Sequence, residues 1–409
     1  MSKTVWYISK YFAPKTQSAP GGRGWFLLKG LADLGFQSVA ICSDSNVLIE
    51  PISIHGSSKI EELEGVKICW LKTSKYKVAK SIKRIISWFH FEYKLFLFDN
   101  SKLPNPDVIV VSSLSILTVL NGLRLKRKYK CRLIFEVRDI WPLTIVEEGG
   151  FSQYNPFVLF LSLIEKIGYK YSDAIIGTMP NLAEHVANVC KTSKPVYCIP
   201  MGFSEEQLYN QRNIDEDYYL KYLSSDKFKI VHAGTIGITN ALDVYFKTAE
   251  KLVSNDEIEF IIVGDGPLKN FYASKYGHLS NVVFAPKVNK DQVQAVLSHC
   301  DLVYFSVFPS KVWEYGQSLN KVIDYMLSAK PIVASYSGYP SMINEAECGF
   351  FLQSSNITAL EQKILEFKDT PIFYREKIGL RGRTWLIENR SYEKLSIEFA
   401  KVLFSEDYF

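Results

Sequence analysis

The sequence lacks the patterns that mark secreted, membrane-spanning or metal-binding proteins. Its seven cysteines are scattered and never spaced as C-x-x-C, so we predict buried thiols in a reducing compartment and neither disulfides nor zinc. No run of about 18 uncharged apolar residues occurs, which argues against a membrane-spanning helix. The first residues show no signal-peptide pattern, and we therefore expect a cytoplasmic protein.

The composition is that of an ordinary globular protein. The chain has 409 residues, of which 47% are hydrophobic and 22% charged, with 16 prolines and 23 glycines. These values exclude a disordered, collagen-like or low-complexity protein. The length predicts two domains, each large enough to bury its own core.

Positive charge is concentrated in the first half of the chain. Residues 1–200 contain 26 Lys and Arg against 16 Asp and Glu, although the net charge of the whole chain is only +5. Two clusters contribute most: Lys72, Lys75, Lys77, Lys80, Lys83 and Arg84, then Arg124, Lys126, Arg127, Lys128, Lys130 and Arg132. One-sided positive charge of this kind indicates that the protein binds an anionic partner, either a membrane surface or a nucleic acid. We favour a membrane, because no nucleic-acid recognition motif accompanies the charge.

Aromatic residues are interleaved with the first basic cluster over residues 72–98. They are Tyr76, Trp88, Phe89, Phe91, Tyr93, Phe96 and Phe98. Basic and aromatic residues together favour attachment to the membrane interface, and we expect residues 72–98 and 124–132 to form the attachment site. The alternative is a solvated helix face combined with core aromatics.

Strand-like and helix-like segments alternate through both halves of the chain. The predicted strands of the first half are Val5–Ser9, Ser38–Cys42, Val66–Leu71, Asp107–Ser112, Arg132–Val137, Ala174–Gly177 and Val196–Ile199. Those of the second half are Lys229–His232, Glu259–Val263, Val282–Ala285, Leu302–Phe305, Pro331–Ser335 and Gly349–Leu352. Nearly continuous apolar strands separated by helices predict an α/β protein with two doubly wound parallel sheets.

The domain boundary is predicted to follow Ile199-Pro200-Met201-Gly202-Phe203, where Pro and Gly end the seventh strand. We assign residues 1–203 to the first domain and 204–390 to the second, and expect 391–409 to form a helix that packs back on the first. Two such doubly wound, Rossmann-like domains that face each other leave a cleft between the carboxyl ends of their strands, and ligands of open α/β sheets bind there.

Glycine-rich turns follow three of the predicted strands. Gly234 and Gly264 end the first two strands of the second half, which would place both turns at one rim and suits a nucleotide diphosphate. In the first half, Gly21-Gly22-Arg23-Gly24 precedes a helix and would allow close approach of an anion, unless it is only a mobile loop. The spacing does not fit a dinucleotide fingerprint.

The most informative segment is Tyr315–Val333, a Gly/Ser loop followed by a helix and a strand. Ser318 is a plausible helix cap, and the helix start with Lys321 would face an anion. Asp324 lies four residues after Asn320 on about the same helix face, where its carboxylate can accept from the two hydroxyls of a ribose. The alternative is a solvated helix with a routine cap.

An Arg-Asp pair, Arg138-Asp139, stands at the end of a central strand of the first half. Chemistry in α/β folds usually takes place at such strand ends, although a structural ion pair is the alternative. The histidines His90, His185 and His299 have no partner pattern, and we interpret them as structural.

Taken together, these segments resemble the bacterial glycosyltransferases of family 4, which have the GT-B fold. The similarity is greatest to O-antigen and capsule transferases of the fucosamine type. The carrying residues, in chain order, are Phe135–Pro142 with Glu148–Gly150, Ile199–Gly202, Gly234–Gly237, Gly264–Pro267 and Tyr315–Pro331.

The resemblance implies a retaining transfer from a nucleotide sugar, commonly a UDP-sugar, to a polyprenyl-diphosphate-linked acceptor, with no cofactor and no essential metal. It implies that Asp324 holds the ribose, that Ser318, Leu319 and Asn320 contact the donor sugar and diphosphate, and that Gly22 approaches the donor. Asp139 would border the reacting carbon and the acceptor, and Lys287 would lie near the base. From these implications we predict Asp139 and Lys321 as catalytic residues, and add Arg23, Gly234, Thr235 and Gly264 to the donor-binding set.

The chain departs from the family pattern at three positions. Gly316 stands where the wider family has a carboxylate, and Thr235 and Asn240 stand near its Arg and Lys. Lys321, Arg23, backbone N–H groups and helix dipoles must then meet the charge of the diphosphate.

We therefore predict a hexosyl- or N-acetylhexosaminyl-type transferase of O-antigen or capsule biosynthesis, peripheral on the cytoplasmic face of the membrane. A nucleotide-sugar 2-epimerase on the same fold is the first alternative, but the carboxylates and histidines for proton transfer are missing from the motif positions. A non-catalytic transferase-like subunit is the second, and Gly316 is its best support.

Overall fold

A computed structural model describes residues 2–16, 19–46, 49, 52–76, 82–191 and 193–404. The chain divides into two compact units. The first unit comprises Met1–Gly202 together with Tyr392–Phe409, and the second comprises Phe203–Ser391. Each boundary lies one residue from the position that the sequence indicates.

The first unit is built on an eight-stranded sheet with helices in its connections. Its strands are β1 Thr4–Ser9, β2 Lys15–Thr16, β3 Ala19–Pro20, β4 Gln37–Ser43, β5 Ser58–Leu63, β6 Val66–Leu71, β7 Val108–Ser112, β8 Arg132–Val137, β9 Ala174–Gly177 and β10 Val196–Cys198. The short strands β2 and β3 pair with each other, antiparallel, outside this sheet. Its helices up to the boundary are α1 Arg23–Asp33, α2 Ile82–Leu97, α3 Thr118–Tyr129, α4 Leu143–Glu147, α5 Pro156–Tyr171 and α6 Leu182–Cys190.

The strand order of this sheet is β10-β9-β8-β7-β1-β4-β6-β5. All pairs are parallel except β5 with β6, and every residue of the central strand β1 is buried. The seven predicted strands are confirmed, and β5 is an addition. Strand β5 escapes a search for apolar runs because it is an edge strand whose Lys59, Glu61 and Glu62 lie on its largely solvent-facing surface.

The second unit contains a six-stranded, wholly parallel sheet in the order β13-β12-β11-β14-β15-β16. Its strands are β11 Phe228–Ala233, β12 Ile258–Val263, β13 Val282–Ala285, β14 Leu302–Ser306, β15 Ile332–Ser335 and β16 Gly349–Leu352. Its helices are α7 Glu206–Tyr209, α8 Glu216–Tyr222, α9 Asp243–Lys251, α10 Lys269–Tyr276, α11 Val293–Ser298, α12 Asn320–Leu327, α13 Met342–Glu345, α14 Ile357–Asp369 and α15 Ile372–Arg390. All six predicted strands are confirmed.

The last helix, α16 Tyr392–Phe404, returns to the first unit and packs on α1. Tyr392 stacks on Phe26 with ring centroids 4.8 Å apart, and Phe404 stacks on Phe36 at 4.7 Å. Since a side chain at Gly30 of α1 would overlap the Ser396 hydroxyl, the two helices approach closely. The C-terminal helix is therefore part of the core of the first unit.

The seven cysteines carry free thiols, as the scattered pattern predicts. Cys42, Cys69, Cys300 and Cys348 are buried, whereas Cys198 is exposed on the edge strand β10. The expectation of burial is therefore wrong for Cys198, because an edge strand leaves one side of its residues without a neighbour. Among the helices that the structure describes, none is long and apolar enough to cross a membrane.

Candidate active site

Two glycine turns lie in contact at the carboxyl ends of the neighbouring strands β11 and β12. The Gly234 N–H donates to the Val263 carbonyl at 2.9 Å. A β-carbon on Gly264 would stand only 1.9 Å from the Gly234 carbonyl oxygen, and one on Gly266 would stand 2.3 Å from that of Ile236. Only glycine permits this approach, which brings the backbone of both turns to one rim of the sheet, as expected.

Helix α12 is fixed against this rim by Tyr325. The phenol oxygen accepts from the Ala233 N–H at the end of β11 (2.9 Å) and donates to the Tyr304 carbonyl on β14 (3.1 Å). Lys321 lies one helical turn before Tyr325, and so projects from the same face of α12. The tyrosine therefore determines where the lysine is placed.

Lys321 extends over the Gly234 turn. Its ammonium group donates to Asn240 Oδ1, and Asn240 Nδ2 in turn donates to the Thr235 carbonyl at 2.8 Å. Lys321 Nζ is 3.8 Å from the point that a β-carbon on Gly234 would occupy. Burial lowers the pKa of Lys321 to about 8. The structure thus brings Gly234, Thr235, Gly264 and Lys321 of the predicted set together.

Lys321 lies beside the turn where this chain lacks the two basic residues of the resembled family. Asn240 stands near the position where the resembled family has a lysine, and the ammonium group of Lys321 reaches that position from α12. Positive charge is therefore present beside the Gly234 turn, although neither position 235 nor position 240 carries it.

Asp324 lies one turn further along α12 and faces the 3₁₀ turn Lys290–Gln292. Its carboxylate accepts from Lys290 Nζ, and its backbone carbonyl accepts from Gln294 Nε2 at 2.9 Å. Burial raises the pKa of Asp324, while Lys290 opposes the shift. Asn320 and Lys287 are exposed, the latter just after β13. The carboxylate is therefore held by one half-exposed lysine side chain, which a competing ligand can displace.

The loop before α12 differs from the expectation in one respect. The helix begins at Asn320 with Leu319 in the capping position, and no side chain caps it, so the prediction of Ser318 as the cap is wrong. Gln317 Oε1 accepts from the Leu319 N–H instead, at 3.2 Å.

Gly316 adopts a φ of +102° and is buried. A side-chain-bearing residue would be strained there, because L-residues rarely adopt this conformation. In this chain the backbone at 316 is therefore built for glycine, and a carboxylate there would require a different loop.

Arg23 is 2% exposed within the first unit. Its guanidinium pairs with Glu136 and donates to the Ile199 carbonyl at 2.7 Å and the Pro200 carbonyl at 3.3 Å. All three guanidinium nitrogens thus have partners inside the unit, which favours a structural role. Gly22 precedes α1 and is half-buried, with its N–H donating to the Ala13 carbonyl at 2.9 Å.

Asp139 follows strand β8 at the carboxyl edge of the first sheet. Burial raises the pKa of its carboxyl group, and the nearby Arg138 and Arg84 oppose the shift. Burial together with Asp139 also raises the pKa of Glu148. Two interacting carboxyl groups and two arginines therefore surround this strand end, and its assignment to the acceptor stays a prediction.

Sequence reasoning missed three residues of the second-unit site: His232, Lys290 and Tyr325. His232 is fully buried at the end of β11, beneath the Gly234 turn. A histidine within the mostly apolar strand β11 was the available signal. Lys290 and Tyr325 carried no signal, because their roles depend on which elements pack together. In the described ranges, no three His, Cys, Asp or Glu side chains are grouped as around a metal ion.

Comparison with known proteins assigns the second unit to an enzyme class. Residues 227–369 match the family described as Glycosyl transferases group 1. No curated protein sequence matches. The match includes Gly234, Gly264, Lys321 and Asp324, and it confirms the predicted enzyme class, because the chain carries a glycosyltransferase domain.

Solved structures with the same fold extend over nearly the whole chain. Sucrose-phosphate synthase from Thermosynechococcus elongatus has a TM-score of 0.69 at 14% identity, covering 98% of both chains. An E. coli structure described as trehalose-6-phosphate bound with UDP-2-fluoro glucose has a TM-score of 0.74 at 12% identity, covering 98% of this chain and 99% of that one. Anabaena HepE, solved with UDP and glucose, has 0.64 at 13%, covering 98% and 99%. These similarities confirm the predicted fold class.

Proposed function

We propose that this glycosyltransferase moves a sugar, with retention, from a UDP-sugar to a polyprenyl-diphosphate-linked glycan in bacterial O-antigen or capsule biosynthesis. The observation that carries the proposal is the placement of Lys321 and Asp324 one helical turn apart on α12. The ammonium group of the half-buried Lys321 lies over the Gly234 turn, and the carboxylate of Asp324 lies beyond it. This order suits the diphosphate and the ribose of one nucleotide sugar. The solved structures with UDP and with UDP-2-fluoro glucose support the choice of donor.

The chemistry that we propose needs the leaving diphosphate stabilised. The bond from the anomeric carbon to the phosphate oxygen breaks while the acceptor oxygen bonds to that carbon on the same face. The acceptor proton passes to the departing phosphate oxygen, so no protein nucleophile is needed. Lys321 and the backbone N–H groups at the start of α12 would stabilise the charge that develops. Asp139 would stand on the acceptor side, and no metal or cofactor enters the step.

The direct test is a panel of UDP-sugars incubated with lipid-diphosphate acceptors and analysed by mass spectrometry. Transfer of one sugar onto a lipid acceptor is the expected result. Interconversion of the donor without transfer would identify an epimerase instead. Donor binding with neither reaction would identify a non-catalytic subunit.

Replacement of Asp324 by Asn tests the ribose contact. We expect UDP affinity to fall about 10- to 100-fold, because charge-assisted hydrogen bonds of about 1.5–3 kcal/mol are lost. Isothermal titration calorimetry with UDP provides the measurement. Asp291→Asn is the matched control, since it removes an exposed carboxylate next to Lys290. Wild-type UDP affinity in a folded Asp324→Asn protein would refute the assignment.

We propose that helix α2 attaches the protein to the membrane, because its outer face is apolar. Ile86, Phe89, Tyr93 and Phe96 are 48–59% exposed and recur at intervals of three or four residues. A lipid-linked acceptor must be met at the bilayer, and an exposed apolar helix face beside cations fits an anionic lipid surface.

Several cations of the two basic clusters have partners within the unit. Lys75 pairs with Asp44, Lys126 pairs with Asp173, and Arg132 donates to the carbonyls of Val402 and Leu403. Lys77 and Lys80 lie outside the described residues. Lys83, Arg127 and Lys130 are exposed. The apolar face should therefore contribute more to the attachment than the number of cations suggests.

A triple variant, Ile86→Gln with Phe89→Gln and Tyr93→Gln, tests this attachment site. We expect sedimentation with anionic liposomes to fall at least about tenfold, because each buried apolar side chain contributes about 1.5–3 kcal/mol. Binding of the wild-type protein should weaken as salt is raised, because salt screens the cations, whereas the contribution of the apolar face remains. The matched control replaces Ile372, Phe373 and Tyr374 of the second unit, which have the same residue types and are 57–66% exposed. Equal losses of liposome binding in both triple variants would contradict a specific attachment site on α2.

A further inference from the structure

The buried histidine at the end of β11 has one ring nitrogen in use. His232 is 0% exposed, and its Nδ1 lies 3.3 Å from the Tyr304 carbonyl, which also accepts from the Tyr325 hydroxyl. Because a carbonyl only accepts, we assign the proton of the neutral ring to Nδ1 from this contact. Nε2 then presents a lone pair.

Nε2 makes no hydrogen bond within the part of the chain that the structure describes. The Thr235 carbonyl also faces the ring, but it accepts from Asn240 Nδ2 and has no proton to offer. Buried polar atoms in folded proteins almost always have partners, so an unpaired one beside a binding turn calls for a ligand.

The unpaired nitrogen borders the same space as Lys321. The point where a β-carbon on Gly234 would stand is 3.8 Å from His232 Nε2 and 3.8 Å from Lys321 Nζ. Glycine leaves this point open, and an atom of a ligand placed there would contact both groups. The space is therefore bounded by a cation on one side and a hydrogen-bond acceptor on the other.

His232 stays neutral near pH 7. Burial, reinforced by Lys321, lowers the pKa of its ring to about 3. Lys321 on α12 is the charged group that acts on the ring, and the other facing groups, the Tyr304 and Thr235 carbonyls, are uncharged. A neutral ring protonated at Nδ1 can only accept at Nε2, so the ligand must supply the hydrogen.

We propose that His232 Nε2 accepts a hydrogen bond from a hydroxyl or amide N–H on the sugar of the donor, next to the diphosphate that Lys321 binds. This inference rests on the proposed function. The phosphate oxygens of a nucleotide sugar carry no hydrogen at neutral pH, whereas the sugar is bonded directly to the diphosphate and carries O–H or N–H groups. His232 is thus a residue that recognises the sugar and not the nucleotide.

Three substitutions at His232 separate recognition from support. Asn can place its amide near Nδ1 and keep the bond to Tyr304, Gln can place an acceptor near Nε2, and Phe keeps the ring shape without either nitrogen. The probes are UDP and whichever of UDP-glucose, UDP-galactose, UDP-N-acetylglucosamine and UDP-N-acetylgalactosamine the wild-type protein binds most tightly. We expect Asn and Phe to weaken binding of the UDP-sugar about 3- to 10-fold and that of UDP less than about twofold, with Gln close to wild type.

A purely structural histidine would give a different order. Asn would then be better than Gln, because it keeps the bond to Tyr304, and UDP and the UDP-sugar would weaken equally. Either result overturns the inference. If the wild-type protein binds UDP but none of the four UDP-sugars, the proposed donor class fails, and the inference fails with it. Thermal unfolding of each variant verifies folding, and Tyr304 keeps its bond from Tyr325 in all three.

Discussion

Replacement of Glu136 by Gln should destabilise the first unit by about 3–5 kcal/mol, because it leaves the buried Arg23 guanidinium without its counter-charge. The side chains of both residues are 0% exposed. Glu136 also accepts from the Tyr7 hydroxyl at 2.5 Å, so one carboxylate holds a cation and a phenol inside the core. Although burial alone would raise the pKa of Glu136, Arg23 and Arg138 hold it below its usual value. Its stabilising charge is therefore present at neutral pH and is lost only on acidification.

Hydrogen exchange of backbone amides measures this loss within each unit separately. We expect faster exchange in β1 and β8 of the Glu136→Gln protein, and unchanged exchange in β11 and β12, which serve as an internal reference. Asp33→Asn is the matched control, because it breaks an exposed pair with Lys29 on the same helix α1 and should cost about 0–1 kcal/mol. A loss no larger than that of the control would contradict a buried, uncompensated charge.

A second substitution should restore part of the stability. Arg23→Gln combined with Glu136→Gln removes both charges, and the double variant should be more stable than the two single losses added together. Simple additivity would mean that the two side chains do not interact. Because Arg23 also donates to the Ile199 and Pro200 carbonyls, full recovery is not expected.

The sheets were predictable from the sequence because parallel strands buried on both faces form nearly continuous apolar runs. All thirteen predicted strands are present, whereas the charged edge strand Ser58–Leu63 does not follow that pattern. The contact between the two glycine turns also follows from their positions on neighbouring strands, since parallel strands end at the same edge.

Tertiary partners were not predictable from motif positions. Arg23 lies beside a glycine pair, as an anion-binding residue would. Its guanidinium nevertheless pairs with Glu136, which lies 113 residues further along the chain. Lys321 reaches Asn240, 81 residues earlier, because Tyr325 fixes α12 against β11. Spacing along one helix indicates which side chains share a face, but not which strand that face meets.

Replacement of Lys321 by Met should lower turnover about 100- to 1,000-fold while changing donor affinity much less. In the proposed reaction the diphosphate gains charge as its bond to the anomeric carbon breaks, so a cation beside it would act mainly on the transition state. Steady-state kinetics with the donor and acceptor found in the panel provide the measurement. Lys269→Met is the matched control, because its ammonium contacts the same pair of turns, at the Gly264 carbonyl (3.1 Å). A larger fall in the Lys269 variant would transfer the role to that lysine.

The pH dependence of turnover provides an independent test of the role of Lys321. Because burial lowers the pKa of Lys321 to about 8, the ammonium is present at pH 7 and is lost as the pH rises through that value. Turnover per donor bound should therefore decline on the alkaline side, with the decline displaced upward once the bound diphosphate stabilises the cation. Lys321→Arg keeps its charge at every pH in this range, so whatever activity it retains should lose the alkaline decline. A decline that persists unchanged in the Arg variant would belong to another group and would remove Lys321 from the chemical step.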